Sequence, residues 1–179
     1  MLLRFATYNI LIFVLLLISC NTNSKNYNSN KNQDDPKSKN ESLIKANRYM
    51  VNTESKEISN YIRRHNLDVI KTGSGLCYQI IRHGSGDKAV RGKIATLNYK
   101  AKLITGDIIY SSSTSEPKIF KIGYGGVESG LEEAILDMRV GDEAIIIIPS
   151  HLAFGLLGDK DKIPPRSTII YEIEFTNIK

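Results

Sequence analysis

Residues 93–110 read KIATLNYKAKLITGDIIY, and this stretch predicts the fold of the C-terminal part of the chain. From Lys93 to Ile104, apolar side chains alternate with polar or charged ones, which is the pattern of a strand with one buried face. Thr105-Gly106-Asp107 supplies turn residues, and Ile108-Ile109-Tyr110 can return beside the first strand. The stretch therefore indicates a hairpin within an antiparallel sheet.

Further strands and one helix are predicted around this hairpin. Strand-like patterns occupy residues 76–82, 118–122, 143–148 and 171–176. Over residues 128–140 the apolar spacing becomes helical, and Gly141 ends it. Because one short helix cannot cover both faces of such a sheet, we expect an α+β domain over 72–179, a curled antiparallel sheet of about five strands around the helix.

The net charge of +5 lies entirely in the N-terminal third of the chain. Residues 66–179 contain 14 basic and 14 acidic side chains, whereas residues 1–65 contain 10 and 5. A neutral domain without aromatic residues among its basic ones does not favour a nucleic-acid partner. Its histidines are scattered, with no cysteine or carboxylate at ligand spacing, so we expect no metal site.

The first 20 residues, MLLRFATYNILIFVLLLISC, have the pattern of an export signal. The apolar run from Ile10 to Ile18 is too short for a permanent membrane span but suits the core of a signal peptide. Leu17-Ile18-Ser19-Cys20 resembles a bacterial lipobox, in which the cysteine is lipidated and becomes the new N-terminus. We expect a lipoprotein signal peptide over 1–19 and lipidation of Cys20. The alternative is an ordinary membrane anchor that happens to end in cysteine.

Two segments connect Cys20 to the C-terminal domain. Residues 20–40 are rich in asparagine, serine and lysine, which predicts a disordered tether behind the lipidated cysteine. Over residues 41–66 apolar side chains recur at helical spacing, which predicts a neck of one or two helices with a break at Asn52-Thr53. The neck can lie on the neighbouring domain or form a dimerising stalk. The missing heptad repeat favours the first interpretation.

Six motifs in the C-terminal domain resemble, in order and spacing, the FK506-binding-protein (FKBP) family of peptidyl-prolyl cis–trans isomerases. They are residues 98–99 (NY), 106–112 (GDIIYSS), 127–133 (VESGLEE), 138–141 (MRVG), 148–155 (IPSHLAFG) and 163–168 (IPPRST). The resemblance covers roughly residues 75–179. Together with the lipobox, tether and neck, it makes the whole chain similar to the gliding-motility-associated FKBP-like lipoproteins.

The resemblance implies a reaction that requires no metal or cofactor. An X-Pro bond isomerises over a barrier of about 18–20 kcal/mol because rotation breaks amide resonance. The twisted amide has less charge separation than the planar one, so an apolar pocket stabilises it. The implied catalytic residues are Tyr99, Phe154 and Tyr171, and the implied substrate-binding residues are Ile109, Tyr110, Phe120, Val127, Glu128, Leu131 and Ile163. Taken singly, each has core packing as the alternative.

Four positions depart from the family pattern. Tyr110 stands where many members have aspartate, and Phe154 where a tyrosine hydroxyl often reaches the substrate carbonyl. Glu128 replaces an apolar residue before the helix, which leaves the backbone donor intact and is expected to alter the rim. A rim aromatic is replaced within Pro117-Lys118-Ile119. Because one hydrogen bond contributes about 0.5–1.5 kcal/mol, we expect weakened rather than abolished activity.

The expected function is peptidyl-prolyl isomerisation in a bacterial cell envelope, assisting the folding or assembly of proline-containing protein clients. The protein would be held at a membrane by lipid on Cys20 and would face the periplasm. The alternative is a catalytically degenerate FKBP-like binding or chaperone module, dimerised through the neck or part of a motility-related envelope machinery. The sequence leaves the client, the choice of membrane and the oligomeric state open.

Overall fold

The computed structural model describes residues 36–179, which form two α-helices and seven strands. The helices are α1 (Pro36–Arg64) and α2 (Ser129–Ile135). The strands are β1 (Ile70–Lys71), β2 (Cys77–Arg82), β3 (Ile94–Leu103), β4 (Ile108–Ser111), β5 (Lys118–Lys121), β6 (Glu143–Ile148) and β7 (Ile169–Ile178). All pairings are antiparallel, in the order β1-β2-β6-β7-β3-β4, and β5 also pairs with β3. The predicted α+β class is confirmed, with seven strands in place of about five.

β3 and β7 lie side by side at the centre of the sheet. They pair from Ala95 opposite Ile178 to Leu103 opposite Ile169. On the inner face, the alternate residues of both strands enter one apolar core with Leu131 of α2, which is fully buried. The strand predicted from the period-two pattern of residues 93–104 is therefore confirmed as β3.

A second apolar cluster covers the opposite face of the sheet. Cys77 of β2, Ile147 of β6 and Ile170 of β7 pack there against Ile58 and Tyr61 of α1. All five side chains are less than 9 % exposed. β6 is thus buried on both faces, which accounts for its uninterrupted run of isoleucines. The expectation that Cys77 is a buried apolar residue is confirmed, and its thiol is free.

The helix α1 differs from the predicted neck at its start and in its middle. It begins at Pro36, five residues before the predicted start, and runs without a break through Asn52-Thr53. The Thr53 hydroxyl donates to the carbonyl of Tyr49 in the preceding turn, so this threonine does not cap a new helix. The interpretation in which the neck lies on the domain is the one observed for Ile58 and Tyr61. The dimerising stalk stays a prediction.

The predicted second helix over 128–140 is wrong at its C-terminal end. α2 stops at Ile135. Beyond it, the carbonyl of Met138 accepts a hydrogen bond of 2.9 Å from the N–H of Ala89 in the loop before β3. This pairing with a distant loop replaces the helical hydrogen bonds that the apolar spacing had suggested.

The remaining N-terminal predictions concern residues outside the described range. The signal peptide over 1–19, the lipidated Cys20 and the tether up to residue 35 belong to this part of the chain. The predicted disordered tether over 20–40 is wrong for residues 36–40, which are helical in α1. Within residues 36–179, no helix combines the length and the hydropathy needed to cross a bilayer.

One carboxylate attaches α1 to the loop between β6 and β7. Oε1 of Glu54 accepts hydrogen bonds of 2.7 Å from the Ser150 backbone N–H and from the Thr168 hydroxyl. Oε2 of Glu54 accepts a third, of 3.0 Å, from the Ser150 hydroxyl. Hydrogen bonds to ionised groups are stronger than those between neutral groups. Both ends of this loop are therefore held at α1.

Replacing Glu54 with alanine should lower the free energy of unfolding by about 2 kcal/mol, because three hydrogen bonds to one carboxylate are lost. Urea denaturation followed by circular dichroism measures the change. Glu57→Ala is the matched control, since Glu57 lies on the same helix but is exposed, and it should leave the unfolding curve unchanged. Equal losses in the two variants would show that Glu54 does not fasten the helix.

Candidate active site

Two tyrosines form the centre of the site on the inner face of the sheet. Tyr99 of β3 lies opposite Ile173 of β7, two residues from Tyr171 on the same strand face. The ring centroids of Tyr99 and Tyr171 are 5.9 Å apart, with their planes inclined at 52°. Tyr171 is 2 % exposed and Tyr99 is half-buried. We call the space between and above these two rings the aromatic cleft.

The other predicted apolar pocket residues gather in the core that surrounds the aromatic cleft. The buried ones are Ile109, Phe120, Leu131 and Ile163, and the partly buried ones are Tyr110, Val127 and Phe154. Next to them lies a cavity of about 340 Å³, whose lining includes Val127, Phe154 and the main chain of Gly125 and Gly126. The structure thus brings together residues that are up to 72 positions apart in the chain, although their roles toward a substrate stay predictions.

Glu128 is buried beside the aromatic cleft and also lines the adjoining cavity, and its expected effect on the rim stays a prediction. Its side chain is 5 % exposed. Oε1 of Glu128 accepts a hydrogen bond of 2.6 Å from the Tyr171 hydroxyl. Oε2 has no hydrogen-bond partner among the described residues. The carboxylate satisfies a tyrosine hydroxyl that would otherwise be buried without an acceptor.

The protonation of the cleft tyrosines follows from this burial. Desolvation, followed by the neighbouring Glu128 carboxylate, raises the pKa of Tyr171 far above its usual value near 10. The same two causes raise the pKa of Tyr99. Both hydroxyls therefore keep their protons at neutral pH, and that of Tyr171 is committed to Glu128.

Lys118, which the sequence placed only in a rim segment, lies over the rings of the cleft. Its ammonium lies 5.2 Å from the ring centroid of Tyr99 and 5.8 Å from that of Tyr171, within the range of a cation–π interaction. The same Nζ is 3.7 Å from Oε2 of Glu128. The available signal was the occurrence of Glu128 at an apolar position of the family together with a lysine in the segment 117–119, where the family has a rim aromatic.

Tyr110 is held by carboxylates of the loop between β6 and β7, which the sequence did not indicate either. Its hydroxyl donates to Oδ2 of Asp159 at 2.5 Å and to Oδ2 of Asp161 at 3.3 Å. The hydrogen bond to Asp159 is the largest cause of the raised pKa of Tyr110. The Asp159 carboxylate of the loop therefore lies beside Tyr110, and the Tyr110 hydroxyl already donates its hydrogen bond to it.

Comparison with known proteins identifies this arrangement. The family model of the FKBP-type peptidyl-prolyl cis-trans isomerases matches residues 86–176, which contain the cleft and every predicted pocket residue. The chain belongs to this family. Its members are peptidyl-prolyl cis–trans isomerases, as the description of the family states.

Several curated relatives carry the same FKBP domain in longer chains. FkpA of Escherichia coli K12, a FKBP-type peptidyl-prolyl cis-trans isomerase, is 34% identical over 112 residues, which are 62% of this chain and 40% of FkpA. Peptidyl-prolyl cis-trans isomerase FKBP11 of Bos taurus is 35% identical over 88 residues, which are 49% of this chain and 43% of FKBP11. The chain thus spans less than half the length of these relatives.

Solved structures show the same FKBP fold. The crystal structure of FkpA from Escherichia coli superposes with a TM-score of 0.63 at 28% identity, covering 79% of this chain and 66% of that one. The crystal structure of AtFKBP13 gives a TM-score of 0.60 at 31% identity, covering 63% of this chain and 99% of that one. The second comparison places nearly the whole of a known FKBP domain on this chain.

Removing the Tyr171 hydroxyl should destabilise this FKBP domain by about 1–3 kcal/mol, because Tyr171→Phe leaves the Glu128 carboxylate buried with one hydrogen bond fewer. Thermal and urea unfolding measure the loss. The matched variant is the double substitution Tyr171→Phe/Glu128→Leu, which removes donor and acceptor together and should restore most of the stability. Additive losses from the two substitutions would contradict a direct hydrogen bond.

Proposed function

We propose that this protein is a peptidyl-prolyl cis–trans isomerase that acts on proline-containing protein clients. The observation that carries the proposal is the convergence of ten sequence-predicted residues around the aromatic cleft of a FKBP domain. Isomerisation makes and breaks no covalent bond, so the site needs no nucleophile. What it needs is an apolar space that excludes water around the twisting amide.

The cleft provides that space by surrounding the amide with rings and aliphatic groups. Tyr99 and Tyr171 form two walls, and Phe154 and Val127 lie at the adjoining cavity. In this low-dielectric environment the planar, charge-separated amide loses more solvation than the twisted amide does. The barrier to rotation falls by that difference.

The hydrogen-bond donors that remain in the cleft suit the orientation of a substrate carbonyl. The hydroxyls of Tyr171 and Tyr110 are engaged by carboxylates, and Phe154 has no hydroxyl. The Tyr99 hydroxyl and the Glu128 backbone N–H make no hydrogen bond within residues 36–179. These two groups are the donors proposed to hold the substrate.

Phe154→Tyr should raise kcat/KM by up to about tenfold, because one added hydrogen bond to the substrate carbonyl contributes about 0.5–1.5 kcal/mol. The measurement is the isomerisation rate of an Xaa-Pro peptide catalysed by the full-length protein in detergent. The wild-type protein should itself accelerate the reaction above the uncatalysed rate.

Two results of this experiment would favour other functions. A wild-type rate equal to the uncatalysed one would contradict the proposed activity. If the enzyme-catalysed part of the wild-type rate is near zero and rises sharply in Phe154→Tyr, the result would favour the alternative, a binding or chaperone module with a degenerate site.

We also propose that the protein acts in a bacterial cell envelope, anchored by lipid on Cys20 and facing the periplasm. The support lies in the sequence: a short apolar run, the lipobox-like residues 17–20 and a polar tether follow one another in the order of a lipoprotein. The same order supports the narrower proposal of a role in motility-related envelope machinery.

Replacing Cys20 with alanine should abolish lipid attachment and move the protein out of the membrane fraction. Metabolic labelling of a bacterial host with radioactive palmitate, followed by fractionation, measures both effects. Cys77→Ala is the matched control, since Cys77 is buried in the fold and its loss should leave the label in place. Retention of the label in Cys20→Ala would rule out the lipobox interpretation.

A further inference from the structure

Two opposite charges lie at the aromatic cleft, where the proposed function places the proline ring. Nζ of Lys118 and Oε2 of Glu128 are 3.7 Å apart, and the ammonium also lies over the rings of Tyr99 and Tyr171. Buried charges are costly unless they are well paired, and Oε2 has no hydrogen bond among the described residues. The pair is therefore incompletely satisfied in the free protein.

The ammonium and a proline ring compete for the same aromatic surface. A cation–π contact uses the faces of the rings, and an apolar pyrrolidine ring packs on those faces as well. With Lys118 in its observed position, its ammonium already lies over both rings at cation–π distance. Productive binding of proline thus requires the lysine to move.

Lys118 is the partner of the pair that can move. Its side chain is 26 % exposed, and its ammonium is carried on a flexible four-carbon stem. Glu128 is 5 % exposed and is held by the 2.6 Å hydrogen bond from the buried Tyr171 hydroxyl. The carboxylate is fixed inside the domain, whereas the ammonium can turn outward.

We propose, resting on the isomerase function proposed above, that Lys118 selects prolines that have a carboxylate side chain directly before or after them. The residues next to a bound proline place their side chains within a few ångströms of the ring, and so within reach of an outward-turned Lys118. A client carboxylate gives the ammonium a new charged partner as it leaves the cleft. A neutral neighbour offers no such partner, and a basic neighbour repels it.

Clients with basic neighbours are disfavoured for a second reason. The anion beside the two cleft rings is Glu128, and its oxygens are enclosed between Tyr171 and Lys118, whereas Asp159 and Asp161 lie at the Tyr110 hydroxyl. A client lysine or arginine therefore meets the cation of the pair and not the anion. The substrate class that this site favours is acidic proline-containing segments.

The test compares two peptide series in which glutamate, glutamine or lysine stands directly before or directly after one proline. For the full-length wild-type protein, kcat/KM in at least one series should fall from glutamate to glutamine by about fivefold, and further to lysine. In Lys118→Met the glutamine peptide should become faster, and the preference should disappear. High salt should reduce the wild-type preference, because screening weakens the contact between the two charges.

Two variants control for folding and for general charge. Lys121→Met removes an exposed lysine of the same strand, which lies over Tyr124 and outside the cleft, and it should keep the wild-type preference. Lys118→Met/Glu128→Gln removes both charges, and the glutamine oxygen can still accept the hydrogen bond from the Tyr171 hydroxyl, so it tests the same point without an unpaired carboxylate. It should also lose the preference.

The outcomes separate this inference from the proposed function. Equal rates for all peptides in the wild type, or a glutamate preference that persists without Lys118, would overturn the inference while leaving the isomerase activity intact. If no peptide is isomerised, the activity proposal fails. Fluorescence anisotropy with the same peptides then tests the role of Lys118 in binding. The inference predicts that the wild type binds the glutamate peptide more tightly than the glutamine peptide, and that Lys118→Met does not.

Discussion

The pairing of β3 with β7 sets the positions of the functional groups on both faces of the sheet. Because side chains alternate along a strand, one register places Tyr99 beside Tyr171 on the inner face and Ile170 under α1 on the outer face. A slip by one residue would exchange the faces of all these side chains. The ion pair of Glu172 with Lys102 connects the same two strands and agrees with this register.

The aromatic cleft is an apolar enclosure that nevertheless contains a buried hydroxyl and a buried carboxylate, both of which need polar partners. Its buried Tyr171 hydroxyl donates its hydrogen bond to Glu128 and is therefore withdrawn from substrate binding. Glu128 in turn keeps one oxygen without a hydrogen bond and depends on Lys118 for charge compensation. Unsatisfied groups of this kind are rare in the interior of stable domains and are concentrated at functional sites. The Glu128–Lys118 pair is thus better explained by a functional role than by a contribution to the stability of the fold.

Much of the fold and of the cleft's membership could be predicted from the sequence, because alternation in β3 and the ordered motifs are local signals. The burial of Glu128 could not, since a glutamate normally lies at the surface and its acceptor role depends on Tyr171, 43 residues later. The sequence favoured a neck that lies on the domain, but it did not show which face the neck covers, although β6 carries four consecutive isoleucines. That run indicates two buried faces, but not that α1 supplies the second cover.

The central position of β7 has a consequence for how the chain is made. β7 comes after every other strand in the sequence, yet it lies between β6 and β3 and joins the two parts of the sheet. While the protein is being synthesised, α1 emerges long before Ile170, one of the residues on which it packs. Neither face of the sheet can be completed until the last strand has left the ribosome. Until then, the apolar surfaces of β2, β3 and β6 depend on transient shielding.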